Sequence, residues 1–385
     1  MATYYLSFNG TLEPEFVMWN SGAAGKARHD RETFAKELGM TPLSAYIYYW
    51  PKEPDEVIHA RFDGMFAGLK RNDILIAQWV LWMDRPRWAE LLVQEAKVFG
   101  AKLVFLVDDI ASWREPDAIP AQVQEADYGQ YRDWRAVTYE AGYLARADGL
   151  ILHSPAMAQR LANQMAIGGH KMPKAVAYLG PSGHRLTYLG QRRQHSDVVD
   201  YAGSLSKAKF LLQLPQSVPL QVYGVGEKDT DFDAAAHPNL TLHPRVDPEA
   251  APHLLAGSYG LVWDSESYPE VTGRFGDYER YNTPAKFAMY LAVDEPVIVW
   301  RQAAVAEYVE RYGLGLVLDT LDQLPQALRA VTPADYDAMV TNVQKISPLI
   351  RSGFFTKRAL LDITGQLLDR HHDAVAEEES TWQTM

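Results

Sequence analysis

Twice along the chain, short apolar runs rich in Val, Ile, Leu and Tyr alternate with longer stretches of helical period. Alternation of this kind constrains the fold more than any single motif. Parallel strands need a crossover, and a helix between consecutive strands supplies it. In the first half the expected strands are 3–8, 45–50, 73–80, 102–107, 149–153 and 174–179. Expected helices lie between them at 29–38, 57–69, 87–99, 136–147 and 155–163. Residues 180–197 are rich in Gly, Pro, Arg, His and Gln without apolar period, which reads as an interdomain linker. The same grammar then restarts, with strands at 198–202, 220–223, 240–243, 260–263, 296–300 and 315–318. Helices are expected at 208–214, 252–256, 284–292, 303–312 and 324–331, and beyond 334 the pattern stays helical to about 371. The reading is an α/β protein of two doubly wound, Rossmann-like domains facing a cleft, where the carboxyl ends of the strands place ligands.

A chain of 385 residues has room for two or three domains, and 47% apolar with 22% charged residues is ordinary globular composition. It contains no Cys, so disulfides, thiolate metal sites, thiol nucleophiles and iron–sulfur clusters are excluded. Chemistry must come from oxygen and nitrogen groups. A net charge of −12 and the lack of a Lys/Arg-rich run argue against nucleic acid as a partner. The first residues show no secretory signal, and no apolar run has the ~20 residues that span a bilayer. A cytoplasmic protein is expected, with peripheral attachment to the inner face of the membrane left open. Residues 373–385, with Glu377, Glu378 and Glu379, read as a solvated acidic tail.

The sharpest local signal is Tyr281-Asn282-Thr283-Pro284-Ala285-Lys286. Thr283 suits an N-cap and Pro284 the first helical position, so free N–H groups and the Lys286 ammonium would together attract an anion such as a diphosphate. An ordinary capped helix is the plain alternative. Gly203-Ser204-Leu205-Ser206-Lys207 occupies the first strand-to-helix turn of the second domain, where small residues let a phosphate approach and Lys207 could meet its charge. Tyr223, ending the next strand before Gly224, could stack on a base or simply fill the core. Gly22-Ala-Ala-Gly25-Lys26-Ala27 is no P-loop, because Asn20 and Ala27 stand where Gly and Ser or Thr are required. It remains a close-approach loop for a polar ligand.

Asp108-Asp109 follows a central apolar strand, where a general base would reach the cleft or an Asp would cap the next helix. Asp229-Thr-Asp231-Phe-Asp233 is read as a solvated loop, and His237, His243, His253, His371 and His372 lack ligand spacing, so no metal is assigned. Trp79, Trp82 and Trp88 are read as packing residues rather than as the floor of a sugar site.

These motifs meet in one family. Gly260-Leu-Val-Trp263-Asp264, Tyr281 through Lys286 to Ala292, and Pro296-Val-Ile-Val299 resemble the C-terminal signature of bacterial GT-B glycosyltransferases. The resemblance is to the glucosyltransferases that extend O-linked N-acetylglucosamine on serine-rich repeat adhesins and to the related β-galactofuranosyltransferases. Pro348-Leu-Ile-Arg351-Ser-Gly-Phe-Phe-Thr-Lys357-Arg358 is similar to the family's closing motif, and Gly25-Lys26-Ala-Arg28-His-Asp30 to its acceptor-side loop. Similarity runs from about Ser7 to Leu368.

The resemblance implies a metal-independent, inverting hexosyltransferase that moves glucose or galactofuranose from a UDP-sugar to a glycan or glycoprotein acceptor, without a further cofactor. It implies 1–185 as the acceptor domain, 195–345 as the nucleotide-sugar domain, 346–372 as helices returning to the first domain, and a homo-oligomer. Donor contacts carry over to Gly203, Ser204, Lys207, Tyr223, Asn282, Thr283 and Lys286, acceptor contacts to Gly25 and Lys26, and the base to Asp109. Lys207 stands where the family has arginine, and Asp108 where relatives often show histidine. Residues 281–286 lean toward the galactofuranose branch and 350–357 toward the glucose branch. A non-catalytic UDP-sugar-binding or assembly subunit of the same fold is the alternative, separated from the enzyme by whether UDP is released when a glycan acceptor is present.

Overall fold

A computed structural model describes residues 1–10, 22–47, 53–79, 86–114, 137–187, 193–203, 205, 208–226 and 235–382. They fall into two compact units, one drawn from 1–17, 32–179 and 356–385, the other from 18–31 and 180–355.

The first unit carries a six-stranded parallel sheet in the order β2-β1-β3-β4-β5-β6. Its strands are β1 Thr3–Gly10, β2 Thr41–Ile47, β3 Ile74–Trp79, β4 Lys102–Val107, β5 Gly149–Leu152 and β6 Ala175–Tyr178. All six residues of β3 are buried, as expected of a parallel strand covered on both faces. The crossovers include α1 Gly22–Glu37, α2 Asp55–Phe66, α3 Pro86–Val98, α4 Ala111–Arg114, α5 Val137–Leu144 and α6 Pro155–Ile167. At the start of α6, Pro155 presets the first turn and Ser154 Oγ accepts the Met157 N–H at 3.1 Å.

The second sheet is also wholly parallel, in the order β12-β11-β10-β7-β8-β9. It consists of β7 Val199–Ala202, β8 Leu220–Val225, β9 Leu240–Pro244, β10 Tyr259–Val262, β11 Val297–Trp300 and β12 Gly315–Leu318. A short 3₁₀ turn, Lys209–Gln213, follows β7 where a helix is expected. Around the sheet lie α7 Ala251–Leu254, α8 Gly273–Tyr278, α9 Ala285–Ala292, α10 Ala306–Tyr312, α11 Leu324–Ala330 and α12 Pro333–Arg351. From β7 the chain builds outward through β8 and β9, then returns to place β10 on the other side of β7. The space beyond the carboxyl ends of β7 and β10 is therefore the topological switch point of this sheet.

The last helix, α13 Phe354–Trp382, closes the first unit: Ala359, Leu360, Ile363 and Leu367 enter the core with Ile74, Val104 and Ile151. Its Gln366 accepts the Val176 N–H at 3.0 Å and donates to the Val176 carbonyl at 2.8 Å. Those bonds satisfy an edge strand that would otherwise expose its backbone. The helix runs on through most of the stretch expected to be a solvated tail.

Residues 180–187 and 193–197 differ from the expected linker. Ser182, His184 and Arg193 are buried in the second unit, and the Arg193 guanidinium donates to the carbonyls of Val293, Leu255 and Gly257. Carbonyl groups waiting in the second unit give that segment its order, and hydropathy does not record them.

Candidate donor site

Elements of the second unit converge at the switch point. Tyr201, next to last in β7, is buried, and Asp264 lies just past β10 with its side chain 39% exposed. Helix α9 starts between them and brings in Lys286, whose ammonium donates to Asp264 Oδ1 at 2.8 Å, the Trp263 carbonyl at 3.3 Å and the Tyr201 hydroxyl at 3.4 Å. It also stands 4.5 Å from the centroid of the Tyr201 ring. Burial opposes the charge on Lys286, but the Asp264 carboxylate and its neighbours outweigh it and hold the ammonium above the ordinary lysine range. The cation is permanent.

Behind it Glu279 is buried. Burial, then the Asp264 carboxylate, push its pKa well above the ordinary glutamate value, which disfavours its charged form. Asn282 Oδ1 and Trp263 Nε1 are buried and unsatisfied among the described residues.

The backbone is shaped for close approach. A Cβ on Gly203 would lie 2.7 Å from the Tyr201 ring, so only glycine fits after β7. Gly203 N–H bonds the Tyr223 carbonyl at 2.8 Å, joining the ends of β7 and β8. Ser204 and Lys207 lie outside the described residues. Tyr223 is buried, its hydroxyl accepts the Ala256 N–H at 3.2 Å, and His243 covers one face of its ring at 4.4 Å, nearly parallel.

Helix α9 begins one residue later than the Thr-Pro pattern suggests. Pro284 holds the cap position, and the Thr283 hydroxyl donates instead to the Gly180 carbonyl at 2.8 Å. Thr283 is not an N-cap: a buried carbonyl competes for its hydroxyl, and the proline at the cap has no N–H to lose. Gly25 and Lys26, expected in a loop, lie in the opening turns of α1. Lys26 is buried and committed to Asp30 at 3.1 Å, Glu249 at 2.7 Å and the Arg185 carbonyl at 2.8 Å, all within the second unit.

In the first unit Asp108 and Asp109 follow β4. Asp109 is half-exposed and paired with Arg114. His153, directly after β5, donates from Nε2 to the Asp108 carbonyl at 2.8 Å. Beneath them the buried Glu140 accepts from Trp79 Nε1 at 2.9 Å and from the backbone N–H groups of Ala111 and Ser112. Trp79 and Trp88 are core residues; Trp82 and Asp229 to Asp233 lie outside the described residues.

Residues 15–167 match the model of the glucosyltransferase 3-like N-terminal domain, and 199–363 that of the glucosyltransferase 3-like C-terminal domain. The chain belongs to the glucosyltransferase 3-like family. Glucosyltransferase 3 of Streptococcus gordonii is 25% identical over 342 residues, covering 89% of this chain and 94% of that protein. The beta-1,6-galactofuranosyltransferase WbbI of Escherichia coli K12 is 27% identical over 362 residues, covering 90% and 96%. A glycosyltransferase structure from Rickettsia africae superposes with a TM-score of 0.59 at 12% identity, covering 95% of this chain and 98% of that one. The catalytic domain of Arabidopsis thaliana starch synthase IV, bound to ADP and acarbose, gives 0.54 at 10% identity, covering 95% and 100%. The fold is that of GT-B glycosyltransferases, and this family member is a glycosyltransferase. No described helix is long and apolar enough to cross a membrane.

Sequence reasoning found Lys286 but gave no role to Tyr201, Asp264 or Glu279. Asp264 stood in the motif that carried the resemblance, and its position after an apolar strand was the available signal. His153 was hidden at the end of a strand pattern.

Proposed function

We propose that the protein transfers a hexose, glucose or galactofuranose, from a UDP-sugar to a glycan acceptor, with the donor diphosphate at the switch point of the second sheet. The observation that carries this is Lys286: a buried, permanently cationic ammonium beside the N-terminus of α9, framed by unsatisfied Asn282 and Trp263. In the reaction the glycosidic C–O bond to the diphosphate breaks and negative charge grows on the leaving group. A fixed cation there stabilises the transition state more than the ground state. Charge neutralisation of this kind requires no metal, and Lys207 from the β7 turn is proposed to add to it. Asp109 is proposed to take the proton of the acceptor hydroxyl, and Gly25 and Lys26 to lie on the acceptor side. Lys26 would have to exchange the exposed Glu249 for substrate to do so. Inversion is proposed because WbbI is named for a β linkage.

The decisive experiment is a donor screen by mass spectrometry with a glycan acceptor, in buffer containing chelator. Turnover of UDP-glucose or UDP-galactofuranose with release of UDP is expected. Transfer from a different nucleotide carrier, or loss of turnover on chelation, would overturn the corresponding part of the reading.

A further inference from the structure

An ammonium has three N–H donors, and those of Lys286 are all engaged. Two of its acceptors are fixed. The Trp263 carbonyl belongs to a fully buried residue at the end of β10, and the Tyr201 hydroxyl to a ring locked in the core and edge-on to Phe210. The third, the Asp264 carboxylate, is the shortest contact and the one that reaches solvent, at 39% exposure. A phosphate oxygen can therefore approach Nζ only by taking the place of Asp264. The two anions cannot share the position, because like charges at hydrogen-bond range repel by several kcal/mol.

We infer that Asp264 is an exchangeable counter-ion: it neutralises Lys286 before the donor arrives, cedes the ammonium to the diphosphate, and then accepts hydrogen bonds from hydroxyls of the donor hexose. The inference rests on the proposed donor site. Geometry supports the second half. The carboxylate follows β10 in the switch-point crevice, 2.8 Å from the ammonium proposed to hold the diphosphate, so a hexose joined to that diphosphate would stand beside it. A displaced carboxylate is acceptor-only and suits sugar hydroxyls, which are donors. No covalent step is involved; one ion pair is exchanged for another.

Binding by calorimetry tests this with Asp264→Asn, using UDP and whichever UDP-sugar the wild type turns over. UDP without sugar should bind Asp264→Asn about three- to tenfold more tightly, as expected when a part-exposed competing ion pair is removed. The complete UDP-sugar should lose its advantage over UDP, and kcat should fall. Tightening toward UDP with an unchanged preference for the sugar would overturn the hydroxyl role. Weakened or unchanged UDP binding would overturn the exchange and leave Asp264 as a support for Lys286. Asp264→Ser, which removes the charge with a smaller side chain, must behave alike, and provides the measurement if the asparagine variant fails to fold. Lys286→Met separates the two levels: if it leaves UDP affinity intact, the donor site itself is wrong, whatever Asp264 does.

Discussion

Replacing Arg193 by methionine keeps a long apolar stem and deletes the guanidinium. The side chain is 5% exposed and makes three bonds to backbone carbonyls: Val293 at 3.2 Å, Leu255 at 3.1 Å and Gly257 at 3.0 Å. Its Nη2 lies 3.2 Å from Glu295, which is fully buried. Asp200 completes the cluster, accepting the Gly257 N–H at 2.8 Å. Burial, then the neighbouring Asp200, push Glu295 far up, while burial raises Asp200 to about 6. The Arg193 guanidinium opposes both shifts and compensates the carboxylate charge of the cluster. Removing the cation leaves the buried Asp200 charge uncompensated and three carbonyls unsatisfied. Breaking a buried pair from one side costs about 3–5 kcal/mol, and we take ~4. For a unit of this size that is a fall of roughly 10 °C in the midpoint of thermal unfolding.

The assay is thermal unfolding followed by differential scanning calorimetry. Arg193→Met/Asp200→Asn should recover part of the loss, because the carboxylate stranded by Arg193→Met is removed with it. A shift below about 2 °C for Arg193→Met would refute the reasoning. Residues 193–197 would then be the loose linker that their composition suggests.

The same cluster fixes a pH dependence. Because the folded pKa of Asp200 lies above its ordinary 3.8, its contribution to stability is complete below that value and is lost as pH rises through about 6. The loss amounts to ~3 kcal/mol, and Asp200→Asn should flatten the midpoint-versus-pH curve over that window. Gly260→Ala would place a Cβ 2.2 Å from the Tyr290 ring, whose hydroxyl accepts the Ala202 N–H at 2.7 Å. It should destabilise the unit by ~2–3 kcal/mol in urea titration and weaken UDP binding with it, since Ala202 precedes Gly203. Asp109→Asn should lower kcat by about 10²-fold or more with unchanged UDP affinity, read from initial rates and calorimetry; wild-type kcat would remove Asp109 from the role of base.

The strands were legible because a parallel sheet writes itself as continuous apolar runs. All twelve fall within a few residues of their expected places, and Lys102–Val107 and Gly315–Leu318 coincide with them. Helix starts were less legible where tertiary contacts decide them. Seven residues of α1 precede its expected start at 29, because Gly22 through Arg28 carry little apolar period and the turn is secured by Lys26 reaching Asp30 and Glu249. The turn after β7 is 3₁₀ rather than α-helical, although its apolar residues Phe210 and Leu211 are buried as expected.

For the site, sequence reasoning works for groups that declare their partner locally and fails for those whose partner is distant along the chain. Lys286 was found because Asn-Thr-Pro-Ala-Lys marks a helix start. Its counter-ion is 22 residues upstream at the end of a different strand, and Tyr201 is 85 residues away. The strand order, with β10 beside β7, makes the three neighbours, and that order is a property of the crossover and not of any local run. Thr283 shows the opposite failure: a hydroxyl with a plausible local role as a cap is claimed by Gly180, 103 residues away. A capping pattern states what the backbone at a helix start needs, while the fold decides which group meets it. The lysine survives that competition because its charge leaves it no alternative to an anion, whether Asp264 or a phosphate.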